Sequence, residues 1–213
     1  MLDPRVYWEQ CFDGLDPETF DFSTARPSRV LVNFCKTHLR NKGPFIDLGC
    51  GNGNNAHYLA ALGCRVFGVD ISWAAVAFCR RRFLRFGLSG IFVQGNFDRI
   101  PFAAGSFSAL LCLAVLDHVT FDTARASIAE MQRVLRSRGL ALLTFAPQEV
   151  DATIVREAEK LSDDTLHFVR GIQRGMLFRR YLDGEIRNLL REFEIVSHEC
   201  TEFGTRVVVC RRI

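Results

Sequence analysis

Lysine is nearly missing from this chain. Only Lys36, Lys42 and Lys160 occur, Arg carries almost all of the positive charge, and the net charge of the 213 residues is +3. Nucleic-acid-binding domains show a strongly basic face, so this mild excess predicts no nucleic-acid partner. Long apolar runs are lacking too. No uninterrupted stretch reaches the about 18 residues of a membrane span, and no membrane segment is expected. Met1-Leu2-Asp3-Pro4-Arg5 has no charged n-region followed by an apolar h-region, which predicts no signal peptide. The eight cysteines form no C-x-x-C pair and the five histidines no H-x-x-x-H pair. Neither a disulfide framework nor a metal site is therefore expected. Such cysteine usage fits a reducing compartment inside the cell, and a cytoplasmic location is expected. No repeat or low-complexity segment is visible. The length suits a single domain, 1–213, able to bury roughly 70% of its unfolded surface.

What the sequence does contain is a strand, a glycine turn and a helix. The run Phe45-Ile46-Asp47-Leu48 ends in Gly49-Cys50-Gly51-Asn52-Gly53-Asn54, and Asn55–Leu62 reads as a helix. That order is the first βα unit of a nucleotide-binding α/β sheet. Glycines reach positive φ without steric cost and hold no Cβ between a ligand and the backbone. The spacing discriminates among ligands. A dinucleotide fingerprint needs G-x-G-x-x-G, and Asn54 stands where its third glycine belongs. A phosphate-binding P-loop needs Gly-Lys-Ser/Thr, which does not follow.

The form D-L-G-C-G-N-G resembles motif I of the class I S-adenosylmethionine-dependent methyltransferases, of the type that acts on small molecules. The resemblance runs from about Phe45 to Phe145 and, more weakly, from Asp183 to Ile213. It implies a Rossmann-like, doubly wound α/β fold: an α/β/α sandwich around a seven-stranded, mostly parallel sheet whose last strand is antiparallel. The pattern of apolar runs predicts strands at Pro44–Leu48, Arg65–Asp70, Gly90–Gln94, Ala109–Leu113 and Leu140–Phe145, then Phe193–Glu199 and Thr205–Arg211. Helices are expected near Asn54–Leu62, Ser72–Phe86 (capped by Ser72), Thr123–Arg136 (stopped by Gly139) and Asp183–Glu192 (capped by Asp183). Residues 1–26 read as an N-terminal helix and cap. Residues 147–175 read as a polar insertion with a helical pattern. Both are candidate substrate lids, since ligands in this fold sit beyond the carboxyl ends of the strands.

The resemblance also implies site residues. The loop Gly49, Cys50, Gly51, Asn52 and Gly53 wraps the amino-acid end of S-adenosylmethionine, with Asp47 orienting the loop or accepting from the cofactor ammonium. Asp70 ends the second strand about 20 residues past the glycines, where an acid accepts from ribose hydroxyls. Ile71 lies against the adenine. Asn96 stands where the family usually has Asp to contact the adenine amino group, with Asp98 as its rival. Phe97 offers its backbone N–H, and Leu113 borders the cofactor after the fourth strand. Asp117 and His118 are candidate catalytic residues, with His118 as proton acceptor. The alternative is that His118 only packs under the cofactor and Asp117 caps a turn. Tyr7 and Trp8 form an aromatic pair able to close over a sulfonium or to anchor the helix on the core.

The expected function is methyl transfer to a small intracellular molecule. The sulfonium is already activated, so the protein's task is to align a nucleophile with the S–CH₃ bond at about 3–3.5 Å and exclude water. No N-P-P-Y follows the fourth strand and no Pro-Cys pair occurs, which argues against methylation of nucleobases. Arg80, Arg81, Arg82 and Arg85 are expected as a solvated helix face. A non-catalytic S-adenosylmethionine-binding regulatory module and a protein methyltransferase stay open as alternatives.

Overall fold

In the computed structural model, residues 3–23, 25–39, 43–147 and 155–213 are described. Residues 148–154 of the expected insertion lie outside them. Among the described residues ten strands and six α-helices follow one another: α1 Pro4–Phe12, α2 Arg29–His38, β1 Pro44–Leu48, α3 Asn54–Ala61, β2 Arg65–Asp70, α4 Trp73–Arg85, β3 Gly90–Gln94, β4 Phe107–Cys112, α5 Phe121–Val134, β5 Leu135–Phe145, β6 Ala158–Lys160, β7 Leu166–Phe168, β8 Leu177–Phe178, α6 Asp183–Leu189, β9 Phe193–Cys200 and β10 Arg206–Arg212.

Seven strands form one sheet in the order β3-β2-β1-β4-β5-β10-β9. The first five run parallel, and β10 pairs antiparallel with both β5 and β9. All five residues of β1 are buried, as a central strand covered on both faces requires. The pleat divides the sheet's side chains between two cores. Phe45, Val66, Leu111, Leu142 and Val209 face α2, α3 and α4. Their chain neighbours Ile46, Leu110, Ala141, Leu143 and Val208 face α5 and α6. This period-2 alternation builds the α/β/α sandwich. Connections turn one way from β1 toward β2 and β3 and the other way toward β4 and β5. The crevice beyond the carboxyl ends of β1 and β4 is thus the topological switch point, where open α/β sheets bind ligands.

Several elements depart from the sequence-based expectation. From Arg156 on the insertion is not helical: β6, β7 and β8 make a small antiparallel sheet, closed by Leu166, Phe168 and Met176 with Tyr7 from α1 against them. Helix α5 ends at Val134, and β5 starts at Leu135, so Gly139 lies inside the strand segment. The left-handed turn there belongs to Arg138, at φ 61°. Asp183 opens α6 rather than capping it. Leu182 is the cap residue, and its N–H is taken by the Glu185 carboxylate at 2.8 Å. Helix α2 was not expected, although Leu31, Phe34 and Cys35 are buried at helical spacing.

Arg80, Arg81 and Arg85 of the α4 cluster are exposed, as expected, but Arg82 is not. Arg82 is 3% exposed. Its Nη1 donates to Asn52 O at 2.6 Å and to Asn54 Oδ1 at 2.7 Å, and its guanidinium lies over the Phe22 ring. Arg80 reaches Phe92 O, Arg81 reaches Leu15 O and Arg85 reaches Pro17 O. These side chains tie the glycine loop, strand β3 and the N-terminal segment to one helix. Among the described residues no helix is long and apolar enough to cross a membrane.

Candidate cofactor and acceptor site

The glycine loop leaves β1 with φ of 69°, 50° and 74° at Gly49, Gly51 and Gly53. Side-chain space is closed there as well. A Cβ on Gly49 would lie 2.4 Å from Val115 Cγ2, and one on Gly53 would lie 2.8 Å from Cys79 Sγ. The N–H groups of Gly49 and Cys50 both bond Val69 O, at 2.8 and 3.2 Å, and fix the loop onto β2. Asp70 completes the attachment. Its Oδ2 accepts from Gly51 N and its Oδ1 from Ser72 N, each at 2.9 Å. Burial raises the Asp70 pKa, while these backbone donors pull it back down.

A cavity of about 670 Å³ opens over these groups, within the about 300–1,000 Å³ usual for ligand sites. Of the residues singled out in the sequence, Gly49, Gly51, Asp70, Ile71, Asn96, Phe97 and His118 line it, and so does Asp98. Asp47, Cys50 and Gly53 are buried beneath the loop, and Asn52 is half-buried beside it. Leu113 is turned into the core under α3 and α4. The lining after β4 comes from the next two residues, Ala114 and Val115. Ala114 holds φ 55° and donates its N–H to Thr144 Oγ1 at 2.8 Å. A positive φ at a non-glycine residue is a mark of functional segments.

Asp117 is absent from the cavity lining. It is 2% exposed, and its Oδ1 accepts from Ala146 N at 2.9 Å, tying the turn after β4 to the end of β5. Burial pushes its pKa up to about 6 against the pull of that N–H and of Arg206. His118 lies in the cavity wall, with Nδ1 3.0 Å from Leu177 O. A carbonyl only accepts, so Nδ1 carries the proton and Nε2 is left as an acceptor. Burial lowers the His118 pKa, against the opposite pull of the Leu177 carbonyl.

The opposite wall comes from the N-terminus: Asp3, Pro4, Arg5, Trp8 and Phe12. The Trp8 ring stands edge-on to His118, with centroids 5.0 Å apart. Tyr7 touches Trp8 but packs toward the small sheet. From α5 and its approach come Val119 and Thr123. None of the residues from α1 and α5 carried a local signal except Trp8, because only the tertiary fold brings them over the strand ends.

Residues 46–143 match the family model described as a methyltransferase domain. That stretch, just under half of the chain, is similar to the methyltransferase domain, as the glycine motif at its start implies. Curated proteins similar to this chain include the uncharacterized methyltransferase YodH of Bacillus subtilis, 33% identical over 99 residues, which are 46% of this chain and 41% of YodH. The malonyl-[acyl-carrier protein] O-methyltransferase of Enterobacter lignolyticus is 29% identical over 151 residues, or 70% of this chain and 55% of that protein. The chain therefore spans about half the length of these relatives. The same fold occurs in the Burkholderia thailandensis 1,6-didemethyltoxoflavin-N1-methyltransferase, solved with bound S-adenosylhomocysteine. It has a TM-score of 0.70 and 21% identity, covering 100% of this chain and 91% of that one.

S-adenosylmethionine is the cofactor that this likeness implies, and the residues present fit it. The loop at Gly49, Gly51 and Gly53 is bare backbone, with no room for a side chain at Gly49 or Gly53 and only the Phe12 ring near Gly51. Asp47 Oδ2 is buried without a hydrogen-bond partner, a costly state that a cationic ligand group would relieve. Burial first, and the Asp70 carboxylate second, push the Asp47 pKa up to about 7.

Proposed function

We propose that this chain moves a methyl group from S-adenosylmethionine to a small molecule, with His118 as the proton acceptor. The observation that carries the reading is the tautomer of His118. Its Nδ1 proton is committed to Leu177 O, which leaves Nε2 as the acceptor of a ring that lines the same cavity as Gly51 and Asp70.

When bound, the cofactor supplies a methyl group on an already activated sulfonium. The chain's own residues bind, orient and exclude water. The glycine loop and Asp47 hold the amino-acid end, Asp70 accepts from the ribose hydroxyls, and Ile71, Asn96, Phe97 and Asp98 border the adenine. Trp8, Val119 and Thr123 bound the space left for the acceptor, and helix α1 forms its lid, whereas no described residue of the β6–β8 insertion, the other candidate, lines the cavity. His118 Nε2 takes the proton of a protonated nucleophile. Asp117 acts only through the turn that carries His118. The cavity must take cofactor and acceptor together, which favours a small acceptor over a folded protein or a nucleic acid. Relatives named as O-methyltransferases favour oxygen as the attacking atom. Eight free cysteines support a location in a reducing compartment, the cytoplasm.

The test is transfer from methyl-labelled S-adenosylmethionine in a cell extract, followed by separation into metabolite, protein and nucleic-acid fractions. Label in the metabolite fraction, reduced by about two orders of magnitude in His118→Ala, is the expected result. Label confined to protein would replace the small acceptor with a protein one. Tight cofactor binding without label in any fraction would make the chain a binding module.

A further inference from the structure

Helix α1 walls the cavity, yet none of its nine residues is buried. It is not held by a core of its own. Its firmest polar attachment is Glu9, whose carboxylate accepts from Trp73 N at 2.8 Å and from Ala74 N at 3.0 Å. These are the first two N–H groups of α4, which has no acid in its own first turn. Ser72 Oγ takes the third, from Ala75, at 3.1 Å. The start of α4 is therefore fully capped only while α1 is docked. A carboxylate at that place meets both orphan donors and the positive end of the helix dipole.

The chain behind α1 is fixed separately. Arg81 Nη2 donates to Leu15 O at 2.8 Å, and Arg85 Nη1 donates to Pro17 O. Between this base and the helix, Asp13 leaves α1 in an extended conformation. Gly14 follows at φ +73° with open space around it. A pinned base, a glycine joint, a helical arm and a carboxylate catch are thus arranged in sequence.

We propose that Glu9 is a positioning residue, the latch of a hinged lid formed by α1. Docked, it sets Trp8 against His118 and Phe12 over Gly51. Released, α1 swings about Asp13 and Gly14 and frees the cofactor to exchange. Glu9 itself does not line the cavity. The inference rests on the cofactor site proposed above and adds what governs access to it.

The chain has two tryptophans, Trp8 and Trp73. Trp73→Phe keeps the latching N–H and leaves Trp8, on the lid, as the single reporter. In that background, stopped-flow emission follows displacement of S-adenosylhomocysteine, and hydrogen exchange of the α1 amides is read on the free protein. Glu9→Gln should speed release about tenfold or more, with Glu9→Asp in between. The α1 amides of Glu9→Gln should exchange faster while the amides of β1 and β4 stay as slow as before. Release within about twofold of the parent in both Glu9→Gln and Glu9→Ala, with α1 exchange unchanged, overturns the latch. Failure of the parent to bind S-adenosylhomocysteine would remove the cofactor site instead. The exchange data on the free protein would then still decide the latch.

Discussion

Gly51 donates its backbone N–H to Oδ2 of Asp70 at 2.9 Å, across 19 residues of sequence. The loop proposed to meet the cofactor's amino-acid end and the acid proposed to meet its sugar are therefore one unit. Each carboxylate oxygen of Asp70 already holds one backbone donor, Gly51 or Ser72. The remaining lone pairs are free to accept from a vicinal diol. The position of the acid is thus set before any ligand arrives.

Asp70→Ala removes the sugar contact and the loop anchor together. Affinity for S-adenosylhomocysteine should fall about a hundredfold or more, the equivalent of one or two hydrogen bonds to a charged group. Calorimetric titration of both proteins measures it, and unchanged affinity would contradict the assignment.

Gly49→Ala places a methyl 2.4 Å from Val115 Cγ2 at a residue held at φ +69°. Strain and overpacking together should cost about 2–4 kcal/mol in urea denaturation. Adding Val115→Ala relieves the contact but not the dihedral, so only part of the loss should return. Complete recovery in the double variant would mean that the backbone at Gly49 is unstrained.

Asp47→Asn gives a pH-dependent effect whose sign is fixed by burial. The native pKa of Asp47 is raised to about 7 from 3.8. Above the unfolded value, the unfolded chain releases this proton first, so stability falls as pH rises from about 4 to about 7. The amide carries no such charge. The variant should match the parent near pH 4 and exceed it by roughly 2–4 kcal/mol at pH 8, while binding S-adenosylhomocysteine more weakly. Equal pH profiles in urea denaturation would show that the Asp47 carboxylate carries no burial penalty.

Arg82→Ala leaves Asn52 O and Asn54 Oδ1 without their donor. A loss of about 2–3 kcal/mol is expected, together with weaker cofactor binding, because the glycine loop is no longer held from below. Arg82→Lys supplies a single point charge and should recover only part of it. Stability equal to the parent in Arg82→Ala would place its side chain back in solvent.

Much of the site can be read from local sequence. Asp70 ends β2; Gly49, Gly51, Ile71, Asn96, Phe97 and His118 follow strand ends, and three of the strands, β1, β2 and β3, match the apolar runs residue for residue. Strands announce themselves because burial on both faces demands continuous apolar residues. The β6–β8 insertion was misread, because strands of two or three residues are too short to show a period. Arg82 was misread for a related reason. Charge on a helix normally marks the solvent face, and only its two acceptors from the glycine loop reverse that rule.

The sequence by itself determined the sheet, the glycine turn and the acid that anchors it, since these depend on backbone freedom and burial within short segments. The tertiary structure alone decided which side chains close the cavity. Pro4, Trp8, Phe12, Val119 and Thr123 meet over the strand ends only after the sheet has twisted and α1 has docked through Glu9. Contacts between residues 64 apart in the chain leave no periodicity in it, because their energy is gained in three dimensions and not along the sequence.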